Sequence, residues 1–145
     1  MATIMRKMNM ISRCESLYRT AQKTVNLPGL YHSYVLAICH QPGNSQDFLA
    51  KHLCMNKSSV ARHLSFLENE GYIHRETSPE DKRELLVFPT EKMLDIHPLV
   101  VSITKEWNTR LTEGISEEEL ALFHRILEKM TETSQSILRI EEERP

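Results

Sequence analysis

Between Phe48 and Leu67 the chain carries no aspartate or glutamate, yet Lys51, Lys57 and Arg62 fall inside that stretch, with His52 and His63 beside them. An acid-free run with spaced bases is what approach to a phosphate backbone requires. Asn56 is a good helix cap. Turning about 100° per residue from it sets Ser58, Arg62 and Ser65 opposite Val60, Leu64 and Leu67, with Ala61 beside them. That outward face is small and polar around one guanidinium. Bulky apolar groups would hold a helix off the floor of a DNA major groove, whereas arginine can pair bidentately with guanine O6 and N7. Asn56, Lys57 and Ser59 crowd the helix N-terminus, where free backbone N–H groups and the dipole favour a phosphate. The plain alternative is an ordinary solvated face with a few hydroxyls.

The elements that must position this helix are legible from periodicity. Ile4, Met8, Ile11, Tyr18, Ala21 and Val25 recur at spacings of three, four and seven, which predicts an amphipathic helix ending near Asn26. A second helix, from about Leu30 to His40, puts Leu30, Tyr34, Val35 and Ile38 on one side, and Gln41 to Asn44 reads as a turn. Ser45 caps a short third helix carrying Phe48, Leu49 and Leu53, and Gly71 closes the fourth. The period then changes. Tyr72 to Thr77 and Leu85 to Phe88 read as strands around the polar tip Ser78-Pro79-Glu80-Asp81. Pro89 stops the second strand and Thr90 caps a fifth helix through Ile96, Val100, Ile103, Trp107 and Leu111, with a kink expected at Pro98. Ser116 and Glu119 form a capping box for a sixth, striped by Leu120, Phe123, Leu127, Met130, Ser134 and Ile137. The fold class is mainly α with a small β-hairpin wing. A helix-turn-helix followed at once by a hairpin is the winged-helix arrangement, and that context weighs against a merely solvated fourth helix.

The residues from Asn56 to Val60 and from Leu67 through Glu68, Asn69, Glu70, Gly71, Tyr72, Ile73 and His74 to Arg75 closely resemble the recognition helix and first wing strand of the MarR family. Asp81-Lys82-Arg83 matches the Asp-x-Arg of that family's wing, and Pro89 to Lys92 resembles the segment that closes it. Pro89 and Met93 stand where the family usually has leucine and glycine. The likeness runs from Ile11 to Leu138 and is strongest from Leu49 to Lys92. It implies a DNA-binding transcription regulator, usually a repressor, acting as a homodimer on a pseudo-palindromic duplex. Residues 30–90 would form the winged helix-turn-helix, and residues 1–29 with 91–145 a helical dimerisation region. Arg83 would enter the minor groove with Asp81 orienting it, reading groove shape more than base identity.

The resemblance also implies a signal that alters DNA affinity. Arg13, Tyr31 and Tyr34 could line a cleft for a small-molecule effector such as an aromatic carboxylate; the alternative is core tyrosines and a surface ion pair. Cys14 with Tyr18, Tyr31 and Tyr34 resembles the family's organic-hydroperoxide-sensing branch, in which phenols favour the reactive thiolate. An inert, partly buried thiol is the alternative there, and Cys39 and Cys54 read as packing residues.

Bulk properties bound the rest. The net charge of −2 over 145 residues is unevenly spread: from Glu113 to Glu143 nine acids face three bases, so that part of the chain is unsuited to phosphates. Three cysteines without CxxC spacing argue against a disulfide framework and for a reducing, cytoplasmic setting. The longest apolar run, Tyr34 to Cys39, is far too short to span a membrane. The seven histidines include no HxxxH or HExxH pair, so no metal and no cofactor are expected. An enzyme is not expected either, because no phosphate loop, nucleophile elbow or paired carboxylates occur. A winged helix serving as a protein-interaction module without DNA affinity remains the competing class, and it has no need of a basic helix face together with a wing arginine.

Overall fold

Side-chain caps set where the helices begin. In the computed structural model, which describes residues 3–144, the elements run α1 (Ile4–Thr20), a 3₁₀ turn (Gly29–Tyr31), α2 (His32–His40), β1 (Asn44–Ser45), α3 (Gln46–His52), α4 (Lys57–Asn69), β2 (Ile73–Thr77), β3 (Leu85–Pro89), α5 (Glu91–Leu111) and α6 (Glu117–Glu142). Thr3, Ser45, Asn56 and Ser116 each accept a hydrogen bond from the backbone N–H three residues on, and Glu119 returns the bond to Ser116. Caps of this kind satisfy otherwise orphaned donors and contribute about 1 kcal/mol each. The fold is mostly helical, with a small antiparallel sheet as its wing.

That sheet has three strands in the order β1-β3-β2. The hairpin pairs Ile73 with Pro89 and Thr77 with Leu85. The third strand was not anticipated. The turn after Gln41 runs into a two-residue strand, pairing Asn44 with Val87 and Ser45 with Leu86.

The chain divides after Trp107 into two compact units. The first has one continuous core, to which α2 gives Tyr34, Val35 and Ile38, α4 gives Val60, Leu64 and Leu67, the hairpin gives Ile73 and Val87, and α5 gives Met93, Val100 and Ile103. The second unit is chiefly α6, none of whose residues is buried.

Two sequence expectations differ from the structure. The first helix ends at Thr20, short of Asn26, and Val25 enters the core from the connecting segment together with Leu27. The cause is a close approach: the Gly29 N–H donates to Thr20 Oγ1 at 2.8 Å, and a β-carbon at Gly29 would collide with the Ser16 carbonyl oxygen. The chain must leave the helix to double back against it. Leu30 and Phe48 are exposed, because Tyr31 and Leu49 take the inward positions on their segments. Pro98 lies inside α5, in its first half. Thr90 stands directly before α5, where its carbonyl accepts from the Leu94 N–H at 3.0 Å and its hydroxyl donates to the Gly71 carbonyl at 2.6 Å, tying the start of α5 to the end of α4.

Candidate nucleic-acid interface

The recognition helix is held by both ends and by its inner face. Asn56 Oδ1 accepts from the Ser59 N–H at 2.8 Å and from the Ser58 hydroxyl at 2.9 Å. At the other end Gly71 takes a φ of +80°, and the Tyr72 N–H reaches back to the Leu67 carbonyl at 2.8 Å. A left-handed residue just past the last turn satisfies carbonyls that the helix cannot. Val60, Leu64 and Leu67 are buried, which turns the opposite face outward.

On that face Lys57, Ser58 and Arg62 are exposed, and Ser59 and Ala61 are half-buried. The Arg62 guanidinium leans on the Ser59 hydroxyl at 3.3 Å, and Lys57 Nζ lies 3.3 Å from Asp47 of α3 with both partners open to solvent. Neither contact would resist a phosphate or a base edge, since exposed pairs contribute little. Ser65 differs from its expected placement. It is half-buried, and its hydroxyl accepts from Arg75 Nη2 at 3.3 Å, because the hairpin folds over this end of the helix.

At the wing tip Ser78 is buried, and its hydroxyl accepts from the backbone N–H groups of Glu80 and Asp81. This brackets the turn and fixes Asp81. One carboxylate oxygen of Asp81 then accepts from the Arg83 backbone N–H at 3.0 Å and from Arg83 Nε at 3.4 Å. The Arg83 side chain is 92% exposed. It is a braced cation projecting from a fixed turn.

Among the residues considered for sensing, Tyr31 and Tyr34 lie ring to ring, with centroids 6.3 Å apart, and both pack on His63. Arg13 and Cys14 are exposed on α1, and Tyr18 packs against Trp107 with ring centroids 5.2 Å apart. Tyr31 stacks on Phe66 of α4 at 4.6 Å. Tyr34 is fully buried and shares a 2.8 Å hydrogen bond with His63 Nδ1, while its hydroxyl also lies 3.6 Å from Met55 Sδ. Burial pushes the Tyr34 hydroxyl up to about 12 and, with Arg62 adding to it, lowers His63, so burial favours the neutral form of both. The Tyr34 phenol is thus bonded to the recognition helix. Cys14 is not partly buried, and Cys54 is exposed where a packing residue was expected. Cys39 does pack, and burial pushes its thiol up to about 11.

Sequence reasoning missed one cluster. Arg75 on β2 binds Glu68 and Ser65 of α4 and Gln46 of α3. Strand alternation could have found it, since Arg75 lies on the same side of β2 as buried Ile73.

Comparison with known proteins bears on this geometry. The model of the MarR family matches residues 32–85, from α2 to the start of β3. The transcriptional regulator HosA of Escherichia coli O111:H- is 34% identical over 114 residues, which cover 77% of this chain and 84% of that protein. The chain belongs to the MarR family. An uncharacterized HTH-type transcriptional regulator of Bacillus subtilis (strain 168), YybA, is 28% identical over 87% of each chain. Among solved structures, a putative MarR-family regulator from Listeria monocytogenes complexed with a 26mer DNA superposes with a TM-score of 0.87 at 26% identity, covering 100% of this chain and 98% of that one. The transcriptional regulator SlyA shares the fold with a TM-score of 0.89 at 24% identity, over 96% and 99% of the two chains. MarR-family proteins are transcription regulators, and this chain has their winged-helix fold throughout.

Proposed function

We propose that this MarR-family regulator is a homodimeric, sequence-specific DNA-binding protein that acts as a repressor. The observation that carries the proposal is the pairing of two cations on one unit: Arg62 exposed on a capped recognition helix, and Arg83 projecting from a wing tip braced by Asp81. Arg62 reads a base edge in the major groove, with Ser58 and Ala61 leaving room for its approach and Asn56, Lys57 and Ser59 set against the backbone. Arg83 enters the adjacent minor groove. Residues 30–90 do this work, and residues 1–29 and 91–145 supply the dimer contact.

Unpartnered apolar surface supports the dimer. Ile4, Met5, Met10, Ile11 and Leu17 of α1 are exposed, and so are Leu122, Phe123, Ile126, Ile137, Leu138 and Ile140 of α6. Apolar patches of that extent mark contact surfaces. An obligate interface of about 2,000 Å² or more is expected. Two copies would set their recognition helices in successive major grooves, about 34–36 Å apart.

The signal that releases DNA enters near α1 and α2, as a small molecule beside Arg13, Tyr31 and Tyr34 or as oxidation of exposed Cys14 near Tyr18. The Tyr34–His63 bond would convey it to α4. Cys14→Ser separates these two triggers: it abolishes a loss of operator affinity caused by organic hydroperoxide, and it leaves one caused by an aromatic carboxylate intact.

Selection of bound sequences from random duplex DNA tests the main reading. A pseudo-palindrome should emerge, and Arg62→Ala should weaken binding to it by about 1–3 kcal/mol and relax one position per half-site. Recovery of no sequence, with binding that ignores Arg62 and Arg83, would point to a protein-interaction module instead.

A further inference from the structure

We propose that Arg75 is a positioning residue for DNA recognition: it locks the wing to the recognition helix, so that Arg62 and Arg83 meet the duplex together. The inference rests on the DNA-binding reading above. Arg75 lies at the middle of β2, and its side chain is only 16% exposed. Its Nε and Nη2 donate to Glu68 Oε1 at 3.3 and 3.0 Å, while its backbone N–H donates to the other carboxylate oxygen at 2.9 Å. Nη1 donates to Gln46 Oε1 at 2.9 Å, and Nη2 also reaches the Ser65 hydroxyl at 3.3 Å. One guanidinium therefore joins β2, α3 and α4.

The hairpin needs such a tie because its outer half has no core. Ile73 and Val87 are buried, but Thr77 and Leu85, the pair next to the tip, are exposed. Apolar packing and the short β1 pairing at Val87 and Leu86 hold the β3 side of the wing, and Arg75 is the anchored side chain on the β2 side, next to the recognition helix. A planar fork with five donors sets direction as well as distance, which a lysine ammonium cannot do. The guanidinium also holds the Glu68 carboxyl below its ordinary range, through the hydrogen bond first, so the pair is charged on both sides and neutral in sum. Arg75 is thus not offered to phosphates, although it is a base close to the recognition helix.

A double-mutant cycle on the full-length protein with its selected duplex tests this. Arg83→Ala should weaken operator binding about tenfold in the parent and lower the salt dependence by about one phosphate contact. In an Arg75→Lys background the same change should cost less than about twofold and leave the salt slope unaltered, because the wing arginine is already out of place. Arg62→Ala should keep its full effect in both backgrounds, since α4 is held by Val60, Leu64 and Leu67. Glu68→Gln removes the charged acceptor while keeping the shape, and it should give the same pattern if Arg75→Lys does not fold. A role confined to stability would lower the melting temperature and leave the Arg83 effect at tenfold in every background; that additivity overturns the proposal. A parent that selects no duplex overturns both this inference and the function it rests on.

Discussion

The recognition helix α4 and the C-terminal helix α6 carry the same kind of apolar stripe and meet opposite fates. In α4, Val60, Leu64 and Leu67 recur at four and three and are all buried, against neighbours from the same chain. In α6, Phe123, Leu127 and Met130 recur at the same spacing, yet none is buried and Phe123 is half exposed. Periodicity reports that a face wants to be covered. It does not report by what. The polar faces differ as well, since α4 presents Lys57 and Arg62 while α6 opens with Glu117, Glu118 and Glu119. One helix is finished by its own chain and carries two exposed cations on its outer face. The other is acidic at its start and unfinished on its apolar side.

The largest expected effect tests that difference at α6. Placing Phe123→Glu and Ile126→Glu together should give a monomer by sedimentation and weaken operator binding by a hundredfold or more, because one half-site alone carries little affinity. A dimer that persisted would locate the interface elsewhere. Next comes Leu64→Ala, expected to cost about 2–5 kcal/mol of folding stability as a cavity in a closed core. Its cost should not vary with protein concentration, whereas truncations on α6 should be concentration-dependent. Smaller again is Tyr34→Phe, which deletes the bond to His63 and should cost about 1 kcal/mol. Chemical denaturation measures both.

The smallest effect is a pH dependence confined to the first unit. Burial lowers His32 and His63 from the ordinary histidine value. The unfolded chain therefore takes up protons, from about pH 6.5 downward, that the folded chain resists, and stability should fall as pH drops through that window. Glu68 adds a loss at lower pH. Its carboxyl is held low by Arg75, so its stabilising contribution is intact above the ordinary carboxylate range and disappears as pH falls through the lowered value. A melting temperature flat from pH 7.5 to 5 would contradict the histidine part.

What could be read in the sequence was what local chemistry decides. The caps at Ser45, Asn56 and Ser116 and the left-handed Gly71 mark helix ends through their own hydrogen bonds, and the structure has them in those roles. What escaped was decided at a distance. The strand β1 is two residues long and exists only because Val87 and Leu86 pair with it. Val25 fits the α1 period, but the chain breaks at Thr20 because Gly29 packs back on that helix. Ser65 is outward by angle, yet the hairpin covers it. Arg75 reads as a solvated strand charge until Glu68, Gln46 and Ser65 are seen around it.

Two copies of this chain are expected to read one duplex through α4 and the wing. Titration of the selected duplex with the protein, followed by fluorescence anisotropy, tests it most directly. Saturation at two chains per duplex, with affinity collapsing when one half-site is scrambled, is the predicted result. Saturation at one chain per duplex, unaffected by scrambling either half-site, would contradict it.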